Sequence, residues 1–166
     1  MGSGLQYRCS KCKKEYYVSW GTGFLFPQAY RKTIHDIKTG KYGAEWKDMI
    51  CENKNSAINA EDYVYVCGKC GAWKTEPDLS IYVPKDTSKP ANELSGKGSK
   101  DNSGRRDYVT EWDLRESYRI LKRRVHKCDN CGGVVHRALE SELKALKCPY
   151  CGGEPEEGFG GDVLWD

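Results

Sequence analysis

Eight of the nine cysteines fall into four Cys-x-x-Cys pairs: Cys9/Cys12, Cys67/Cys70, Cys128/Cys131 and Cys148/Cys151. One tight turn carrying two thiolates at that spacing lets both sulfurs reach an ion at about 2.3 Å, and two such turns complete a tetrahedral four-cysteine site. Eight thiolates therefore predict two sites holding two Zn2+ ions. Fe is the alternative, because thiolate affinity alone does not separate the metals. Gly71, Gly132 and Gly152 follow three of the pairs, where the turn needs a positive φ; Lys13 takes that place in the fourth. Four sulfur ligands leave no position for an activated water, so the ions read as structural staples and no catalytic residue is predicted.

The turns C128-D-N-C131-G-G and C148-P-Y-C151-G-G are followed in quality by C67-G-K-C70-G and then C9-S-K-C12-K. Through these residues the chain resembles the zinc-ribbon proteins, in which two knuckles at the tips of β-hairpins hold one zinc. It also resembles uncharacterised bacterial proteins with paired ribbons. The resemblance implies a fold and a metal only, since ribbons serve transcription, translation, RNA modification and protein docking alike. The 148–153 turn is similar to the second knuckle of rubredoxins, which implies a one-electron iron carrier as an alternative. Rubredoxins bury that site under a compact aromatic core, whereas Tyr150 is the single aromatic ring of Phe, Tyr or Trp type between 128 and 151.

Pairing consecutive knuckles gives a small, metal-stabilised α+β protein of two ribbons. Residues 1–83 form the first, with a helical insertion at 27–52; residues 84–107 form a flexible linker or mobile loop; residues 108–166 form the second. The linker is rich in Pro, Gly, Ser, Lys and Asp and has one large apolar residue, Leu94, too little to offset its ordering entropy. Crossed pairing, with Cys67/Cys70 joining Cys128/Cys131, would close the loop that contains this segment.

The elements that must position the knuckles follow from pattern. Glu15 to Trp20 is β-prone, and Gly21-Thr22-Gly23 can turn it into Phe24-Leu25-Phe26. Pro27 suits a helix start, Ala29 to Lys38 has helical spacing and Gly40 a stop. A second helix runs from Ala44 to about Cys51, with Trp46, Met49 and Ile50 on one side. Asp62 to Val66 and Leu79 to Val83 read as strands around the second knuckle. Thr110 is an N-cap with Asp113 in the first turn, giving a helix at 111–117 and a strand from about 119. Ser141 to Leu146 forms a helical turn or two.

Each remaining candidate has a plain packing alternative. Arg105, Arg106, Arg119, Lys122, Arg123, Arg124 and Lys127 form the densest basic stretch, with Tyr108, Trp112 and Tyr118 near in sequence, and are the candidate nucleic-acid contacts. The formal charge of +3 falls to −1 once two tetrathiolate zinc sites, each of net charge −2, are counted, so overall charge gives no support to a general nucleic-acid binder. His126 and His136 are expected on the surface or beside a thiolate. Cys51 is expected as a small buried thiol, and a Cys51-dependent enzyme is the remaining alternative. Tyr16, Tyr17, Trp20, Phe24, Phe26, Trp46 and Trp73 are expected mainly in the core. No apolar run approaches the roughly 20 residues that span a bilayer, and the expected location is cytoplasmic. The expected role is a non-enzymatic adaptor whose partner is nucleic acid or protein.

Overall fold

The computed structural model describes residues 2–23, 25–53, 55–86, 108–157 and the backbone of the strand at 162–165. Among these residues it is a small α+β protein of four helices and three antiparallel sheets. Its contacts divide it into two units that interleave along the chain. One comprises Met1–Phe24, Asp62–Pro77 and Val125–Asp166; the other comprises Leu25–Glu61 and Asp78–Arg124. This division differs from the consecutive halves suggested by composition. From residue 87 to 107 the expected linker lies outside the described residues.

The first unit carries all four knuckles. Strands β1 (Gly2–Arg8) and β2 (Glu15–Trp20) form a hairpin around Cys9 and Cys12, and β9 (Asp162–Trp165) adds to the free side of β1. Strands β4 (Asp62–Val66) and β5 (Trp73–Pro77) form a second hairpin around Cys67 and Cys70. The short β8 (His136–Arg137) pairs with β4. Side chains alternate along β2, with Tyr16 and Val18 buried and Glu15 and Tyr17 exposed. Strand β4 is buried on both faces. Its Val64 packs with Tyr7, Tyr16, Val18 and Leu146, while Tyr63 and Tyr65 pack with Cys67, Cys128 and Val135. One strand thus walls two small cores. The α-helix α4 (Glu140–Leu143) precedes the last knuckle.

The second unit is built on helices α1 (Phe26–Lys38) and α2 (Ala44–Glu52) and a sheet of order β3-β6-β7 (Ala57–Ile58, Ile81–Pro84, Tyr118–Lys122). Phe26, Tyr30, Ile37, Trp46, Ile50, Ile58 and Ile81 form its core, and the Trp46 indole N–H donates to the Leu79 carbonyl at 2.7 Å. Helix α3 (Glu111–Ser117) opens with a capping box. The Thr110 hydroxyl accepts from the Asp113 N–H, and the Asp113 carboxylate accepts from the Thr110 N–H.

Two expectations about elements are corrected. Phe26 opens helix α1 instead of continuing a hairpin, because Pro27 has no N–H for a ladder and its fixed φ suits a helix's first turn. The strand partner of β2 is β1. The return strand of the second knuckle is β5, while Ile81–Pro84 pairs with β3 and β7 in the other unit. No described helix is long and apolar enough to cross a membrane.

Candidate metal centres

All four knuckles share one backbone hydrogen-bond pattern. The N–H of the first cysteine donates to the carbonyl five residues on: Cys9 to Lys14 at 2.9 Å, Cys67 to Ala72 at 2.8 Å, Cys128 to Gly133 at 2.7 Å and Cys148 to Gly153 at 2.8 Å. The residue after the second cysteine donates back to the first cysteine's carbonyl, at 2.8–3.0 Å in every case. That residue has φ of +71° at Gly71, +68° at Gly132, +69° at Gly152 and +58° at Lys13. The turn thus dictates the conformation even where no glycine supplies it.

The pairs combine as Cys9, Cys12, Cys148 and Cys151 in an outer tetrad and as Cys67, Cys70, Cys128 and Cys131 in an inner one. This corrects the consecutive pairing expected from order along the chain; the crossed arrangement is the one formed. Spacing within a turn sets which sulfurs share an ion but says nothing about which second turn joins them. Longer-range contacts decide that. The N-terminal hairpin is held to the last knuckle by Tyr16 O–H donating to Leu146 O at 2.7 Å, by Tyr7 O–H donating to Leu143 O, and by Glu156 N–H donating to Arg8 O at 2.7 Å. The inner pair is set by the β4–β8 ladder and by Ala138 N–H donating to Val64 O at 2.8 Å.

The four sulfurs of each tetrad lie within 4.8 Å of one another. Sγ separations are 3.5 Å for Cys9–Cys151, 3.7 Å for Cys12–Cys148, and 3.5 Å for both Cys67–Cys131 and Cys70–Cys128. A tetrahedron with metal–sulfur bonds of ~2.3 Å has edges of about 3.8 Å, whereas a disulfide needs ~2 Å. Space beside the sulfurs is equally tight. A Cβ at Gly153 would stand 2.9 Å from Cys9 Sγ and 3.0 Å from Lys11 Cβ, and one at Gly133 would stand 3.4 Å from Cys131 Sγ. The second glycine of each C-x-x-C-G-G turn therefore makes room for sulfur, a role that spacing alone does not assign.

The electrostatics fit a cation. The Cys12 backbone N–H pulls the Cys9 thiol down to about 6, and that of Cys70 pulls Cys67 down to about 6. Their neighbours move the other way. A backbone N–H of Lys14 lowers Cys12, but burial and the adjacent sulfurs outweigh it and raise the thiol to about 11. At Cys70 the Ala72 N–H is likewise outweighed by Cys128, burial and the other sulfurs, leaving the thiol at about 12. Crowded sulfurs resist a second negative charge, and a bound divalent ion would remove that resistance. The two four-cysteine groups fit zinc-ribbon-like metal sites, which makes this a candidate metal-binding protein.

Other predicted residues are spread out. His126 is buried, stacked on Tyr65 with ring centroids 4.1 Å apart, and its Nδ1 lies 2.5 Å from Glu76 Oε1. His136 is exposed and meets Glu142 at 2.9 Å. Neither belongs to a tetrad. Cys51 is exposed near the end of α2, contrary to the buried thiol expected. Of the basic residues, Lys122 pairs with Glu45 at 2.8 Å. Arg124 lies 4.7 Å over the Trp46 ring and donates to Tyr42 O at 3.0 Å. Arg119, Arg123 and Lys127 are exposed, and Arg105 and Arg106 lie outside the described residues. Of the predicted aromatic core, Tyr16, Phe26 and Trp46 are buried and Tyr17 is exposed, while Phe24 lies outside the described residues.

No protein-family model, curated protein or solved structure matches the chain.

Proposed function

We propose that the chain is a zinc-binding, non-enzymatic docking module whose two cysteine tetrads are zinc-ribbon-like staples. The observation that supports this reading is the grouping of each tetrad: four sulfurs within 4.8 Å of one another would saturate a tetrahedral ion and leave no coordination position for substrate or water. Elemental analysis of the purified protein should return two zinc ions per chain, and a strong chelator should unfold the knuckle-bearing unit. A red protein whose visible absorbance bleaches on reduction would move the reading to an iron electron carrier.

A protein partner is favoured over nucleic acid. Two of the candidate phosphate contacts, Lys122 and Arg124, are engaged within their own unit. The knuckle-bearing unit has ten basic and eleven acidic residues, and two tetrathiolate zinc sites take it to about −5, which repels a phosphate backbone. The second reading, nucleic-acid binding, draws support from the other unit. That unit has seventeen basic against thirteen acidic residues, with Arg119 and Arg123 exposed. Titration with a single-stranded oligonucleotide decides between them. Salt-sensitive binding that weakens in an Arg119→Ala, Arg123→Ala double variant supports nucleic acid, and flat traces support a protein partner.

A further inference from the structure

A cleft of about 260 Å3 lies in the knuckle-bearing unit, with ligands of both tetrads in its wall. Cys70 and Cys128 come from the inner tetrad, and Cys148, with Pro149 and Gly152 of its turn, comes from the outer one. The volume falls below the roughly 300 Å3 at which pockets for drug-sized ligands begin, a size suited to a single side chain. Trp73 and Tyr65 line it beside Asp129.

Its charge selects the occupant. The lining contains two cations, and both are already matched. Lys74 reaches Glu76 and Asp129, each at 3.1 Å, and Lys147 reaches Glu154 at 3.3 Å. Were both tetrads zinc-loaded, as the reading above has it, their charge of −2 each would lack a further counter-ion among the lining residues. Cys70 is exposed, and with zinc bound its sulfur would be a thiolate able to accept a hydrogen bond. The Trp73 indole, the Asp129 carboxylate and the exposed Cys70 sulfur are groups of the kind that recognise a delocalised cation. From this we infer that the cleft between the two metal centres binds an arginine side chain presented by a partner peptide. The inference rests on the zinc reading above and adds the chemistry of the docking contact to it.

The test uses the full chain with two zinc ions confirmed by elemental analysis. The probe is the peptide acetyl-Gly-Gly-Arg-Gly-Gly-amide, with the uncharged citrulline version as control. The readout is the Trp73 indole N–H resonance, assigned through Trp73→Phe; this N–H donates to the Lys147 carbonyl at 2.7 Å. The expected result is a saturable shift with the arginine peptide, at least tenfold weaker with citrulline. Asp129→Asn, which also frees Lys74, should weaken arginine binding about fivefold or more with both zincs retained. Equal shifts with both peptides, or none with either in zinc-loaded protein, overturn the arginine site and leave the zinc reading standing. Folded protein without metal overturns both.

Discussion

Cys9 and Cys151 are 142 residues apart in sequence, and their sulfurs lie 3.5 Å apart. Cys70 and Cys128 are separated by 58 residues and meet at the same distance. The inner tetrad is thus enclosed, along the chain, by the outer one. Each closes through a long hairpin and a short knuckle, so a ligand lost from one should leave the other's geometry in place.

Single substitutions should divide the metal content cleanly. Cys9→Ser is expected to reduce bound zinc from two ions to one, and Cys67→Ser to do the same. Structural zinc contributes apparent stabilisation of roughly 10–16 kcal/mol in small domains, so each variant should also melt far earlier. Atomic emission spectrometry beside a thermal melt reads both effects. Retention of two ions in either variant would contradict that cysteine's role as a ligand.

The second glycines should differ in their tolerance of a methyl group. Gly153→Ala places a Cβ 2.9 Å from Cys9 Sγ, and a zinc-bound sulfur could not retreat without leaving its ion. A cost of about 1–3 kcal/mol, as for an overpacked core, corresponds to a loss in zinc affinity of about fivefold to 150-fold. Gly133→Ala, with 3.4 Å to Cys131 Sγ, should lose much less. Competition with a chromophoric chelator ranks the two.

Lys13 is the one post-knuckle residue held at positive φ without being glycine. Lys13→Gly removes a left-handed penalty of about 1–2 kcal/mol. It forfeits only an exposed ion pair to Glu156 at 3.2 Å, a contact worth about 0–1 kcal/mol. Slightly tighter zinc retention at the outer tetrad is expected, read as a slower rate of zinc transfer to the chelator. Gly152→Ala should do the reverse.

Arg124→Ala and Arg123→Ala separate stability from binding. Arg124 stacks on Trp46 and bonds the Tyr42 carbonyl, so its loss should cost about 1–2 kcal/mol in denaturant unfolding. Arg123 is exposed, and its removal should stay within about 0.5 kcal/mol. Loss of oligonucleotide binding in Arg124→Ala alone would therefore report damage to the fold.

Asp36 gives a local pH marker. Hydrogen bonds from Lys32 at 2.7 Å and Lys41 at 2.8 Å hold its carboxyl down at about 2, against an ordinary 3.8. A depressed acid contributes stability that is present above its unfolded-state value and lost as pH falls towards the folded one. The end of α1 should therefore weaken between about pH 4 and 2. In Asp36→Asn that part of the acid sensitivity should vanish, which carbon NMR of the carboxyl and the melt together can follow.

Much of the fold is legible in the sequence because local physics decides it. The Thr110 N-cap, the Pro27 helix start and the three glycine-bearing turns are each settled within five residues and can be read from residue types, whereas Lys13 takes positive φ with no such signal. The pairing of knuckles is not local. It depends on Tyr7 and Tyr16 reaching carbonyls at Leu143 and Leu146, contacts that no spacing rule encodes. Strand β1 escapes a reading by pattern because Gly2-Ser3-Gly4 has the composition of a loose end, and it is ordered by a ladder with β2. Cys51 is exposed because a helix of nine residues turns only part of itself inward, and Trp46 and Ile50 occupy that face.

A ribosome delivers these cysteines in order, and the nesting makes that order consequential. When Cys67 and Cys70 emerge, the other pair of this sequence already outside the tunnel is Cys9/Cys12, so the first four knuckle thiols available to an ion belong to two different final centres. Any metal captured by those four thiols would have to be released before Cys128 and Cys131 could claim their partners. Cys9 and Cys12 then wait until Cys151 appears. If the tetrads hold zinc, the nested order would make metal exchange during synthesis part of maturation alongside chain folding.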